Sequence, residues 1–395
     1  MSDIDTRSYL PKDGFEGTLI GRAWVPDLIT GTVAGPSPVL ITEESVFDLI
    51  PVAHTCADLL NNGFDRSAIN LSQFSRLGSY EEIMANTLRA PRDQELPYFI
   101  SPVDLQSIKA CGVTFMVSML ERVIEERAGG DASRADDVRK KIKSKLDANI
   151  TDIQPGSPEA EALKEVLQAE GLWSQYIEVG IGPYAEVFTK AQPLSTVGTG
   201  DQVGILPISS WNNPEPEVVL VVNAKAQVLG ATLGNDVNLR DIEGRSALLL
   251  GKAKDNNAAC AVGPFIRLFD ESFTLDDVRQ MELYLTVEGK DGFTLSEVSL
   301  MSLISRDVLD LVDQTINAYH QYPDGLALFT GTLFAPTQDR DMEGEGFTHK
   351  IGDIVTISSD KLGALQNHVV YCDQAPPWEF GISALMQNLS LRDLL

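Results

Sequence analysis

Basic residues are scarce: 31 lysines and arginines stand against 57 aspartates and glutamates in 395 residues, a formal net charge of −26. No basic run is longer than Arg139-Lys140-Lys141-Ile142-Lys143. A surface of this sign repels phosphate backbones and anionic bilayers, which argues against nucleic acid or a membrane as partner. If the substrate is an anion, a bound cation must supply the local positive field. Cysteine and histidine are sparse as well, with four of each. Cys56, Cys111, Cys260 and Cys372 form no CxxC pair and the histidines no HxxxH spacing, which excludes a zinc or iron–sulfur site and points to reduced, buried thiols. No apolar stretch approaches the ~20 residues that span a bilayer. The start, Met-Ser-Asp-Ile-Asp-Thr, has no apolar signal segment, so the expected location is the cytoplasm. Internal repeats and low-complexity tracts are absent.

What is present is an ordinary globular composition, 43% apolar and 22% charged. A chain of this length exceeds what one core usually organises, so two domains are expected. The boundary falls in the loose stretch Arg89 to Pro97, giving a small N-terminal α/β domain over 1–95 and a catalytic domain over 96–395. In the first, short strands precede a helical patch from Val46 to Leu60. In the second, Met116, Met119, Leu120, Val123 and Ile124 follow 3.6-residue spacing. Ser118, Glu121, Arg122 and Glu125 share the opposite face, which periodicity alone reads as solvated. Helices follow over 131–150, after Gly129-Gly130, and over 158–170. Together they form a helical lid segment spanning about 115–172. From Ile177 onwards short β-rich runs dominate: Val218–Val222, Val228–Leu233, Met281–Val287, Leu326–Phe329, Asp353–Ser358 and His368–Tyr371. The expected fold class is α+β, mostly β.

Three familiar motifs fail. Gly198-Thr199-Gly200-Asp201-Gln202-Val203-Gly204 has the wrong glycine spacing for a dinucleotide loop and no βαβ unit around it. Asp339-Arg340-Asp341-Met342-Glu343-Gly344 begins like a calcium loop but would carry Lys350 where a bidentate acid belongs. No nucleophile elbow supports Ser-His-Asp catalysis.

Glu215 and Glu217, in Asn-Asn-Pro-Glu-Pro-Glu-Val-Val-Leu-Val-Val, are two residues apart and would emerge on one face of an extended strand. An E-x-E pair alone is usually an exposed charge pair. Here it opens onto Val218-Val219-Leu220-Val221-Val222, a run that must be buried, and buried carboxylates need a partner. With Asp236 they would make a hard oxygen pocket suited to Mg²⁺, and to Mn²⁺ or Ca²⁺, which similar sites accept.

Glu215-Pro216-Glu217, Gly234-Asn235-Asp236-Val237-Asn238-Leu239-Arg240-Asp241, Gly251-Lys252, Gly263-Pro264-Phe265 and Thr330-Gly331-Thr332 occur in an order and spacing that resembles the fumarylacetoacetate hydrolase family. The likeness covers about residues 105–390 and is nearest to the 2-keto-3-deoxypentonate dehydratases. Leu172-Trp173-Ser174-Gln175-Tyr176, Lys252-Ala253-Lys254-Asp255-Asn256-Asn257 and Gln321-Tyr322-Pro323-Asp324-Gly325 extend it. The resemblance implies a mixed β-sandwich roll, a homodimer or homotetramer, and a 2-keto sugar acid as small-molecule substrate. It implies Glu215, Glu217 and Asp236 as metal ligands, Lys252 beside the substrate, and Gly331-Thr332 at the substrate carboxylate. Arg240 and Asp241 would occupy the family's Arg-Asp pair and support the metal carboxylates.

Two departures bear on the reaction. The family's C–C hydrolases carry Gly-x-Asn-Tyr-x-x-His-x-x-Glu, and the aligned stretch Gly112 to Glu121 has Ser118 for the histidine while keeping Glu121. A hydroxyl is no general base near neutral pH, so the expectation shifts from hydrolysis to dehydration of a 2-keto-3-deoxypentonate to 2,5-dioxopentanoate. Glu243 stands where the hydrolases commonly have glutamine, a departure that implies a contact for a substrate hydroxyl. In this scheme Lys252 handles the enolate oxygen or the C3 proton, and Glu121 gives a proton to the leaving C4 hydroxyl. Acylpyruvate hydrolysis and oxaloacetate decarboxylation are the rival reactions, and a non-catalytic sugar-acid sensor is the rival class.

Overall fold

The computed structural model describes residues 5–143, 153–169, 171, 173–334, 338–344 and 346–395. In chain order the elements that position the site are β1 (Thr18–Val25), β2 (Ser107–Gly112), α1 (Met116–Ala128), α2 (Ala132–Lys143), α3 (Pro158–Ala169), β3 (Glu186–Ala191), β4 (Asn212–Asn213), β5 (Pro216–Val222), β6 (Val228–Asp236), α4 (Leu250–Lys254), β7 (Cys260–Leu268) and β8 (Leu326–Phe329).

One sheet has eleven strands, in the order Arg76–Gly78, Val46–Asp48, Gly35–Ile41, β1, β7, β6, β5, β8, β2, β3, with Tyr98–Ile100 paired to β1 off this path. A five-stranded sheet runs Thr294–Leu300, Glu282–Glu288, Ile354–Ser359, Gly363–Tyr371, Gln202–Ile205. Side chains alternate along β5 and feed two cores. Val218, Leu220 and Val222 pack with Leu285, Ile357 and Leu365 of the smaller sheet. Val219 and Val221 pack on the other side with Ile266, Leu59 and Leu60. Both faces of β5 are therefore covered, which is why its sequence is an unbroken apolar run rather than an alternating one. Each such side chain contributes roughly 1.5–3 kcal/mol by leaving water. The fold is a mixed α+β β-sandwich, as the resemblance implied.

Several local expectations change. The stretch 46–60 is not one helix: Val46–Asp48 is a strand and only Cys56–Asn61 is helical, with Thr55 capping it and Pro51 between them. Near residue 95 the chain does not pass from one sheet to another. Tyr98–Ile100 pairs with β1, and β1 pairs with β7, so the strands on either side of the proposed boundary share a sheet. Helix α1 ends at Gly129, in the left-handed conformation, and its Val123 and Ile124 belong to one buried cluster with Ala135 of α2 and Ala160 and Leu167 of α3. Of the expected helices and lid segment, residues 144–152, 170 and 172 lie outside the described residues. Among the described residues no helix is long and apolar enough to cross a membrane.

Candidate metal centre and active site

Strands β5 and β6 form an antiparallel pair in which Glu217 lies opposite Gly234 and Pro216 opposite Asn235. The Asp236 amide donates to the Glu215 carbonyl at 3.0 Å, so the ladder itself sets these two acids side by side. Carboxylate oxygens of Glu215, Glu217 and Asp236 all lie within 4.8 Å of one another, and all three residues are buried. Glu217 is held from the end of β8: the Gly331 amide donates to its Oε2 at 2.6 Å. Gly331 has φ +91°, and a Cβ there would lie 2.0 Å from Thr114 Oγ1. Both facts demand glycine.

Two buried lysines complete the cluster. Lys254, at the end of α4, donates to Glu215 and, at 3.1 Å, to Asp236 Oδ2. Lys190, at the end of β3, lies 2.7 Å from Asp236 Oδ1. From above, α1 lowers Arg122 into the site, where its guanidinium contacts Glu215 and lies 2.7 Å from both Glu125 and Glu243.

The electrostatics follow from this crowding. Burial, with Asp236 and Glu215 alongside, pushes the Glu217 carboxyl well above its ordinary range. Burial also acts on Asp236, but Lys190 and Lys254 prevail and hold it below its usual value. Glu186, reaching in from β3, is pushed up to about 7 by burial and by Glu243. Glu243 is itself raised by burial, against the pull of Arg122. Desolvation opposes the charge on Lys254, yet Asp236, Glu215 and Glu243 keep its pKa above the ordinary lysine value.

The residues fit a divalent cation. With all of them ionised, the five carboxylates Glu215, Glu217, Asp236, Glu186 and Glu243 would exceed the three cations Arg122, Lys190 and Lys254 by two charges, a deficit that proton uptake relieves in the metal-free site and that a divalent cation would neutralise. The donors are all hard oxygens, the set that Mg²⁺, Mn²⁺ and Ca²⁺ prefer.

The other expected site residues are placed as follows. Ser118 and Thr332 line the cavity over the carboxylates. The Ser118 hydroxyl donates to the Phe115 carbonyl at 2.8 Å, and the Thr332 hydroxyl accepts from the Phe334 amide at 3.1 Å. Arg240 is buried over the Trp211 ring, 2.6 Å from Glu125 and 3.5 Å from Glu121. Asp241 accepts from the Ser209 hydroxyl and the Ser210 amide. Lys252 is exposed on α4, whereas Lys254, two residues on, reaches the carboxylates. The polar face of α1 is likewise not solvated, since Ser118 and Glu125 are buried against the site. Sequence reasoning missed Glu186, Lys190 and the role of Lys254: the first two are single charges within the short run Ala185 to Ala191, and the third is one of two lysines in Gly251-Lys252-Ala253-Lys254. Arg122 and Glu125 were visible as a face without a partner.

Two narrow cavities of about 20 Å³ each adjoin the centre, room for about one water apiece. Glu215, Ser118, Arg122 and Thr332 line both.

Comparison with known proteins agrees with this geometry. Residues 184–370 match the model of the fumarylacetoacetate (FAA) hydrolase C-terminal region. A probable 2-keto-3-deoxyxylonate dehydratase of Haloferax volcanii is 31% identical over 194 residues, 49% of this chain and 63% of that protein. A 2-dehydro-3-deoxy-D-arabinonate dehydratase of Saccharolobus solfataricus is 32% identical over 183 residues, 46% of this chain and 57% of that protein. The match thus spans less than two thirds of either relative. Among solved structures, 2-keto-3-deoxy-D-arabinonate dehydratase complexed with magnesium and 2,5-dioxopentanoate superposes with a TM-score of 0.62 at 18% identity, covering 89% of this chain and 99% of that one. At that identity the likeness is one of fold.

Proposed function

We propose that the chain, whose residues 184–370 match the fumarylacetoacetate (FAA) hydrolase C-terminal model, is a member of that family and removes water from a 2-keto-3-deoxypentonate to give 2,5-dioxopentanoate. A divalent ion, Mg²⁺ in the first instance, would be held by Glu215, Glu217 and Asp236. The observation that carries this reading is the convergence of three buried carboxylates with the cationic Lys254 lying across two of them. Bound there, such an ion supplies Lewis acidity to an α-keto carboxylate head, which acidifies the C3 proton.

The chain's own residues do the rest. Lys254, kept charged by its acidic neighbours, stabilises negative charge developing on the C2 oxygen. Gly331 and Thr332 would border the substrate carboxylate, Glu186, in the same cavity and with its carboxyl pushed up to about 7, would take the proton that leaves C3, and Glu121 would pass a proton to the departing C4 hydroxyl, so that one water is released. Arg240 and Glu243 shape the surrounding pocket. Elimination is favoured over acylpyruvate hydrolysis because the Ser118 hydroxyl is committed to a backbone carbonyl and provides no base for water. The names of the two curated relatives and of the magnesium complex point the same way. We further propose a homodimer or homotetramer acting on this small molecule in the cytoplasm.

The test is product identity. The purified protein is incubated with 2-keto-3-deoxypentonates of both C4 configurations, with and without chelator. A semialdehyde that a coupled dehydrogenase oxidises, formed only with metal present, supports dehydration. Pyruvate from acylpyruvates or oxaloacetate, with no semialdehyde, would replace it by the rival chemistry.

A further inference from the structure

The outer of the two cavities adds Glu121, Glu125, Asn213, Arg240 and Phe334 to the shared wall, and Glu215 is the only metal-ligating carboxylate that it touches. Its charges nearly cancel: Arg240 lies against Glu125 and Glu121, and Arg122 against Glu125 and Glu215. Three acids against two guanidiniums leave it weakly negative, which disfavours a second carboxylate on the ligand.

Asn213, one of the residues that line this wall, carries an unmatched polar atom. Asn213 is 2% exposed. Its Nδ2 donates to the Pro214 carbonyl at 2.8 Å, which fixes the orientation of the amide. Its Oδ1 is buried and accepts no hydrogen bond. The backbone cannot turn this group away, because β4 pairs with Asn238–Leu239. A buried amide oxygen without a donor costs free energy that an incoming hydroxyl would relieve.

We propose that Asn213 Oδ1 accepts a hydrogen bond from the terminal hydroxyl of the ligand, which makes the outer cavity a subsite for a neutral, hydroxylated tail. The inference rests on the α-keto acid reading given above: the head would enter over Glu217 and Asp236 and the tail between Ser118 and Thr332, and because each cavity has room for about one water the side chains around them must move apart to admit a ligand. It makes the site select against keto acids that end in a methyl group or a carboxylate.

The test uses two inert probes that lack a C4 leaving group, 5-hydroxy-2-oxopentanoate and 2-oxopentanoate, titrated calorimetrically into the full-length, Mg²⁺-loaded protein. The wild-type protein should bind the hydroxylated probe about tenfold more tightly, a margin of about 1.4 kcal/mol. In Asn213→Leu that margin should fall below about twofold, with affinity for 2-oxopentanoate kept. Asn213→Ala serves the same purpose if the leucine variant does not fold. Equal wild-type affinities for the two probes, or a tenfold margin retained in either variant, would overturn the subsite. If neither probe binds in a metal-dependent way, the α-keto acid reading itself fails, an outcome distinct from metal-dependent binding without discrimination.

Discussion

Lys190 Nζ lies 2.7 Å from Asp236 Oδ1, with the lysine side chain wholly buried. The same ammonium donates to the backbone carbonyls of Val237, at 3.1 Å, and Lys254, at 2.5 Å. It therefore ties β3 to the segment after β6 and to the end of α4, and it helps hold Asp236 ionised. Replacing it with methionine takes this donor from the Val237 and Lys254 carbonyls and from Asp236 Oδ1, and leaves Asp236 only Lys254, on Oδ2. We expect Lys190→Met to destabilise the protein by about 3–5 kcal/mol, the cost of breaking a buried ion pair. Metal affinity should drop by about 10–100-fold, as for other groups that orient a ligand. Denaturant unfolding and a Mn²⁺ titration measure the two effects.

The lysine that matters for turnover is expected to be Lys254. Lys254→Met should lower kcat by at least about 10²–10³, the scale seen when a donor to a developing oxyanion is lost. Lys252→Ala, at an exposed position, should stay within about twofold, as surface substitutions usually do. Steady-state rates with saturating metal decide between them, and the reverse pattern would restore Lys252.

This pair also marks how far local sequence can be read. Glu215, Glu217 and Asp236 were legible because the carboxylates adjoin an apolar run that has to be buried, and because strand spacing fixes their direction. The phase of α4 was not: over five residues, Leu250 and Ala253 are too few apolar positions to say which lysine faces inward. Lys190 and Glu186 lie on β3, whose neighbour β2 precedes it by some eighty positions, and only that pairing brings them to the carboxylates. The polar face of α1 was visible, but periodicity identifies a face and not what covers it. Proline and charge between Arg89 and Pro97 are what a linker reading rests on, while the pairing of Tyr98–Ile100 with β1 depends on partners far away in sequence.

The acid cluster should also make the metal-free protein less stable as pH rises. Glu186, Glu217 and Glu243 all have folded-state pKa values above the ordinary carboxylate range. Below an unfolded value of about 4.3 both states hold these protons, and above it only the folded state does. The stability they contribute is thus present at low pH and lost as pH climbs through the folded values, about 7 for Glu186. Calorimetry in chelator should show Tm falling across that window, with a shallower fall in Glu186→Gln. At pH 8, Glu217→Gln should raise the metal-free Tm by about 1–2 °C, equivalent to ~1 kcal/mol at roughly 2.1 cal/mol/K per residue over a chain of this length, and abolish the rise that Mg²⁺ gives the wild type. A metal-free Tm that rises with pH would contradict the mutual repulsion assigned to these carboxylates.

Glu121 stands on the buried polar face of α1, within 3.5 Å of Arg240 and on the wall of the outer cavity. If it hands a proton to the C4 hydroxyl, Glu121→Gln keeps the shape and the hydrogen bond but removes the transferable proton. kcat should fall by about 10²–10⁴ while affinity for 2-oxopentanoate is unchanged. A structural role predicts the same loss of rate, so the leaving group must separate them. Chloride departs without a proton, and a substrate carrying chloride at C4 should react with wild type and Glu121→Gln at rates within about threefold of each other. Were the variant equally impaired with both leaving groups, Glu121 would be positioning α1 rather than moving the proton.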